Sequence, residues 1–125
     1  MRVMDRKSRR TVSQDLRLSA RADPVLDALG DPTRRAILHR LREGPKPVVE
    51  IAKGLPVTRP AVSQHLRVLK DARLVIDRAA GTRRLYAVDP NGLFALRAFL
   101  ELFWADALTR FVAAANRAPA RGRHA

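Results

Sequence analysis

Apolar positions along the chain recur at helical spacing in several blocks, and Gly or Pro ends each block. From Pro32 to about Glu43, Ile37, Leu38 and Leu41 fall on one side of a helical projection, and Arg34, Arg35, Arg40 and Arg42 fall mostly on the other. Gly44-Pro45 stops that helix. Val48, Ile51, Ala52 and Leu55 predict about two further turns over 48–55, closed by Pro56. Thr58 is placed as an N-cap, and Val62, Leu66 and Leu69 follow at spacings of four and three. The opposite face of this helix carries Pro60, Ser63, Gln64, Arg67 and Asp71, all polar or proline.

The period then changes. Leu74–Arg78 and Arg84–Val88 are rich enough in β-branched residues to predict a pair of strands, joined by the turn Ala79-Ala80-Gly81-Thr82. Gly81 can supply the positive φ a hairpin needs, and Arg78, Arg83 and Arg84 make its stem and tip basic. From Pro90 to about Arg117 a last helix of roughly 40 Å is predicted at about 1.5 Å per residue. It holds all four phenylalanines and the single tryptophan. Its apolar residues cover most of its circumference, which calls for burial on two sides, and a second copy of the chain is the expected cover.

Three Asp-Pro pairs, at 23–24, 31–32 and 89–90, read as helix starts, because Asp can cap an orphan N–H and Pro in the first turn forfeits no bond. On that basis a short helix is expected over Pro24–Leu29. Residues 1–22, with seven basic and two acidic side chains, are expected to be a disordered basic arm. The core domain is placed at 23–117, and 118–125 as a frayed basic tail.

Composition narrows the function classes. The 125 residues are enough for one domain, and the formal charge of +13 favours a polyanionic partner. Much of that charge lies in the tails: residues 23–116 carry 15 basic and 10 acidic groups. With no cysteine, disulfide scaffolds, thiolate metal sites and thiol redox sensing are excluded. No apolar run is long enough to span a bilayer and no signal-like stretch follows Met1–Arg10, so a cytoplasmic protein without membrane contact is expected. Neither a phosphate-cradling glycine loop nor a recognisable catalytic triad is present, so no enzyme is expected.

The order of elements is mainly α with a small β-hairpin, namely a winged helix-turn-helix followed by a long C-terminal dimerisation helix. Three stretches, Leu29–Leu38, Val57–Leu69 and Gly81–Tyr86, resemble in sequence and order the ArsR family of bacterial winged-helix transcriptional repressors. The resemblance spans residues 23 to about 113. It implies a homodimer that binds double-stranded DNA at a pseudo-palindromic operator, with recognition helices roughly 34 Å apart. Thr58, Arg59, Ser63, Gln64 and Arg67 are the candidate contacts of the recognition helix. Gln64 suits adenine, Arg59 or Arg67 suits guanine, and Ser63 suits a phosphate or base edge. Arg78, Arg83 and Arg84 are the wing candidates, for phosphates or a minor groove, with one of the last two open to a strand-supporting role. Thr58 is as easily a cap alone, and His65, at the border of the buried stripe, reads as packed rather than base-reading. Leu93, Leu96, Phe99, Leu100, Phe103, Trp104 and Phe111 are the expected dimer interface.

Members of this family that sense metal commonly use cysteine thiolates, or carboxylates and histidines of the last helix. Here Val48-Val49-Glu50 stands where a thiolate motif would fall, only Glu101 and Asp106 are acidic in the last helix, and His39, His65 and His124 have no paired ligand spacing. A non-metal-sensing type with no cofactor is therefore expected. A small-molecule or protein effector is left open; the aromatic group of Phe99, Phe103 and Trp104 reads as core before it reads as a binding site. The alternative functions are a sequence-tolerant architectural DNA-binding protein and a protein-interaction module.

Overall fold

The computed structural model describes residues 11–117. Its elements are α1 (Val12–Leu29), α2 (Pro32–Leu41), α3 (Val48–Ala52), α4 (Arg59–Asp71), β1 (Val75–Ala80), β2 (Arg83–Val88) and α5 (Pro90–Arg117). The mainly helical architecture with one two-stranded antiparallel hairpin is the expected winged helix-turn-helix.

The N-terminal expectation needs correction. Residues 12–22 are not part of a disordered arm: they form the first half of an 18-residue helix in which Pro24 is internal. Thr11 caps it. Its side chain accepts from the Gln14 N–H at 3.1 Å, and the Gln14 carboxamide accepts from the Thr11 N–H at 2.8 Å, a reciprocal capping box. Pro24 removes one bond from the ladder, but Ala22, Val25 and Ala28 are buried around it, and that packing carries the helix through. The remainder of the basic arm, residues 1–10, and the C-terminal tail 118–125 lie outside the described residues.

The other two Asp-Pro starts hold. Asp31 accepts from the Arg34 N–H at 3.0 Å, and Asp89 accepts from the Asn91 N–H at 3.0 Å. α3 is shorter than expected, ending at Ala52, and the chain then turns through Gly54 at φ +77°. The hairpin strands are longer than expected, so its turn contracts to Gly81-Thr82, with Gly81 at φ +67°.

Val25, Ile37, Leu41, Ile51, Val62, Leu66, Leu69 and Leu74 form one core from α1 to α4 and the start of β1. Burying each of the larger side chains contributes about 1.5–3 kcal/mol. Turning α4 by one residue would take Val62, Leu66 and Leu69 out together, so the core fixes which face of that helix meets solvent. α5 lies against α1 with Ala95, Ala98, Phe99 and Leu102 partly covered. The C-terminal half of α1 and the N-terminal half of α5 are the parts that meet the core, so the pair runs antiparallel.

Two joints tie the hairpin to the helices. Lys46 and Tyr86 exchange backbone hydrogen bonds of 3.0 and 2.9 Å, so the α2–α3 loop adds a single bridge to β2. At the other side Arg73 adopts φ +60°, and its carbonyl accepts from the Gly92 N–H at 2.7 Å. A Cβ on Gly92 would stand 2.7 Å from the carbonyl oxygens of both Ala72 and Arg73. Only glycine allows α5 to approach this turn so closely.

Candidate nucleic-acid interface

α4 is positioned from both ends. At its start the Thr58 hydroxyl accepts from the Ala61 N–H at 3.2 Å, so Thr58 is the N-cap the sequence indicated, and Pro60 sits in the unpaired first turn. With Val62, Leu66 and Leu69 buried, Ser63, Gln64 and Arg67 project from the exposed side, and Arg59 is exposed at the helix start. Among the described residues none of these four side chains has an internal hydrogen-bond or ion-pair partner. They form a solvated face of two cations, a carboxamide and a hydroxyl.

His65 is held on the flank rather than on that face. Its Nδ1 lies 3.4 Å from a terminal guanidinium nitrogen of Arg34. Guanidinium can only donate, so in this contact Nδ1 is the accepting side. The same Arg34 donates to the Ala28 carbonyl at 2.7 Å and the Asp27 carbonyl at 3.3 Å, and Arg35 donates to the Leu29 carbonyl at 2.7 Å. These two cations satisfy the carbonyl end of α1. Arg40 likewise bonds the Ile51 carbonyl at 3.0 Å and also the Lys53 carbonyl, closing α3. The Arg34 backbone N–H also holds the Asp31 carboxyl below its usual range, against an opposing effect of burial.

The hairpin divides its arginines between two faces. Strand alternation and the pairing of Ala80 with Arg83 put Arg78 and Arg83 on one side, exposed and, among the described residues, without internal partners. Arg84 is on the other side with Asp77, its Nε 2.6 Å from the carboxylate. The same carboxylate lies 2.8 Å from Lys70 in the last turn of α4. Lys70 first, then Arg84, depress the Asp77 carboxyl, and Asp77 in turn raises Arg84. Of the three wing arginines singled out from the sequence, Arg84 is thus engaged inside the chain, and the structure groups Arg78 with Arg83 alone. The Lys70–Asp77–Arg84 bridge between helix and wing was missed by sequence reasoning. No periodicity marks it, although a lone Asp in a basic hairpin was a usable hint.

The last helix is also two-sided. Leu93, Leu100, Phe103, Trp104 and Phe111 are 41–71% exposed, whereas Leu96 packs on the chain's own core and Phe99 is half-buried, edge-on to Phe103 at 5.2 Å. Two of the seven expected interface residues are therefore partly covered within one chain. Val12 and Leu16 of α1, 74% and 64% exposed, add apolar surface that the disordered-arm reading had hidden.

The family model for the arsR family of bacterial regulatory proteins matches residues 31–77. The chain is also 62% identical over 89 residues to the HTH-type transcriptional regulator Rv2034 of Mycobacterium tuberculosis, covering 71% of this chain and 83% of that protein. The chain belongs to the ArsR family. This is a family of transcription regulators, not enzymes, and its matched segment runs from the Asp31 cap through α4 to Asp77. Another relative within it, the HTH-type transcriptional repressor SmtB of Mycobacterium tuberculosis, is 43% identical over 72 residues, 58% of this chain and 53% of that protein. Among solved ArsR-like structures, the homodimeric winged helix-turn-helix DNA-binding domain Mb0332 from Mycobacterium bovis superposes with a TM-score of 0.58. It is 28% identical and covers 85% of this chain and 90% of its own.

Proposed function

We propose that this ArsR-family protein is a cytoplasmic homodimer that binds a pseudo-palindromic operator and represses transcription. The observation that carries this reading is the α4 face, where Arg59, Ser63, Gln64 and Arg67 stand exposed and, among the described residues, unpartnered, while Val62, Leu66 and Leu69 lock the helix into the core. Side chains not spent on internal bonds are the ones free to meet base edges in a major groove. Arg67 and Gln64 read bases, Ser63 and Arg59 meet phosphates or base edges, and Thr58 acts chiefly as the cap. Arg78 and Arg83 neutralise phosphates beside the groove, while Arg84 braces the wing.

Dimerisation uses the exposed α5 stripe of Leu93, Leu100, Phe103, Trp104 and Phe111, with Leu96 and Phe99 at its edge. Contiguous apolar surface of this kind needs cover, and the homodimeric state named for Mb0332 supports a second copy as that cover. The protein works without metal. In support, the chain has no cysteine to supply a thiolate site.

Selection of bound sequences from a random DNA library tests the reading. An enriched inverted repeat is the expected result. Tight binding with no enriched sequence would refute it in favour of an architectural DNA-binding protein, and a stable monomer in sedimentation would refute the dimer.

A further inference from the structure

A groove between α1, the α4–β1 turn and α5 has a chemistry that DNA binding leaves unused. It encloses about 620 Å³, a size suited to a small organic ligand. Leu18 of α1 and Phe94 and Ala98 of α5 supply the apolar part of its lining, and Phe94 is 61% exposed. The rim is ionic. Arg21 of α1 and Arg73 of the turn border it against one carboxylate, Asp71, and among the described residues none of the three has a side-chain hydrogen bond or ion pair.

We propose that this groove is an effector site for a small amphipathic carboxylate, an anionic head joined to an aromatic body. Two unpaired guanidinium groups suit a carboxylate, since each can present parallel N–H donors. The apolar part of the lining, with the uncovered Phe94 ring, suits the body. The proposed dimer stripe is centred away from the groove. On α5, Phe94 lies about a quarter to a third of a turn, and Ala98 about a third of a turn or more, from the stripe of Leu93, Leu100, Trp104 and Phe111, and on α1, Arg21 lies roughly opposite Val12 and Leu16.

Its position couples it to the DNA-binding face. Arg73 stands between the end of α4 at Asp71 and the start of β1 at Val75, so an anion drawing Arg73 towards Arg21 acts on the joint between recognition helix and wing. Occupancy also neutralises positive charge, which lowers affinity for a polyanion.

This coupling rests on the proposed operator binding, so operator affinity is measured first without ligand. The probe is 2-naphthylacetate, with the uncharged 2-naphthylacetamide as its match, titrated into the full-length dimer and followed by amide shifts. The acid is expected to move the Ala72, Gly92 and Ala95 signals, to bind at least about tenfold more tightly than the amide, and to weaken operator binding at least about threefold. Arg21→Gln and Arg73→Asn should each lower acid affinity about tenfold; asparagine tolerates the left-handed backbone at 73, so the fold is kept. Equal binding of acid and amide, unchanged binding by both variants, or shifts confined to the Leu100–Phe111 stripe would overturn the site. Unchanged operator affinity with the groove filled would overturn the effector role.

Discussion

Replacing Gly92 by alanine tests how closely α5 is seated on the turn after α4. The new Cβ would stand 2.7 Å from two backbone carbonyl oxygens and 2.9 Å from the Arg73 carbonyl carbon, where ordinary contact begins at 3.4 Å. None of these atoms belongs to a flexible side chain, so the turn itself must retreat by about 0.7 Å, the difference between those distances. Overpacking of this kind costs about 1–3 kcal/mol. Losing the 2.7 Å bond from the Gly92 N–H to Arg73 adds about 0.5–1.5 kcal/mol. Better helix propensity returns at most about 1 kcal/mol. The net expectation is a loss of about 0.5–3.5 kcal/mol, read as a lower urea midpoint at matched protein concentration, since a dimer's stability depends on concentration. The same variant should weaken operator binding, because the displaced turn connects α4 to β1. A midpoint equal to or above the parent's would refute the close seating.

Asp77→Asn should be less stable than the parent near pH 7, with the gap closing in acid. The folded-state carboxyl titrates below its unfolded value of about 3.9, so its ion pairs stabilise fully above that value and are lost as pH falls through the folded pKa. Urea melts at pH 7 and near pH 3 check this, and a gap that persists unchanged in acid would refute it. Gln64→Ala and Arg67→Ala should each cost about 1–3 kcal/mol of operator affinity; equal loss on random DNA in a competition assay would reassign the side chain to phosphate. Leu100→Glu and Trp104→Glu should dissociate the dimer in sedimentation while each chain stays folded, since both side chains are more than half exposed in one chain. Deleting residues 1–10 should flatten the salt dependence of DNA binding by removing positive charge, whereas deleting 1–22 should also lower the melting temperature by removing half of α1.

What could be read in the sequence follows physical range. Caps and period are local, so Asp31, Thr58, the stripe of Val62, Leu66 and Leu69, and the full length of α5 were all legible. The first half of α1 was not, because its buried positions include the small Ala22, which gives little hydrophobic contrast, and because Pro24 imitates a helix start. The Thr11–Gln14 capping box was the available signal. Of the candidate site, the α4 face and the free wing arginines were legible as residue types on an exposed side. The engagement of Arg84 by Asp77, the Lys46–Tyr86 bridge and the Arg34–His65 contact were not, since each depends on where distant elements meet.

Arg34 joins the carbonyl end of α1, whose other end carries Val12 and Leu16, to His65 on the flank of α4. In the proposed dimer one guanidinium thus ties the helix that carries this apolar surface to the flank of the reading head. Such a particle works as a fixed-gauge calliper. Each base pair added between half-sites shifts the second groove by about 3.4 Å and swings it by about 35°, and a rigid tool cannot follow that swing, so spacer length should be as strictly selected as the letters being read.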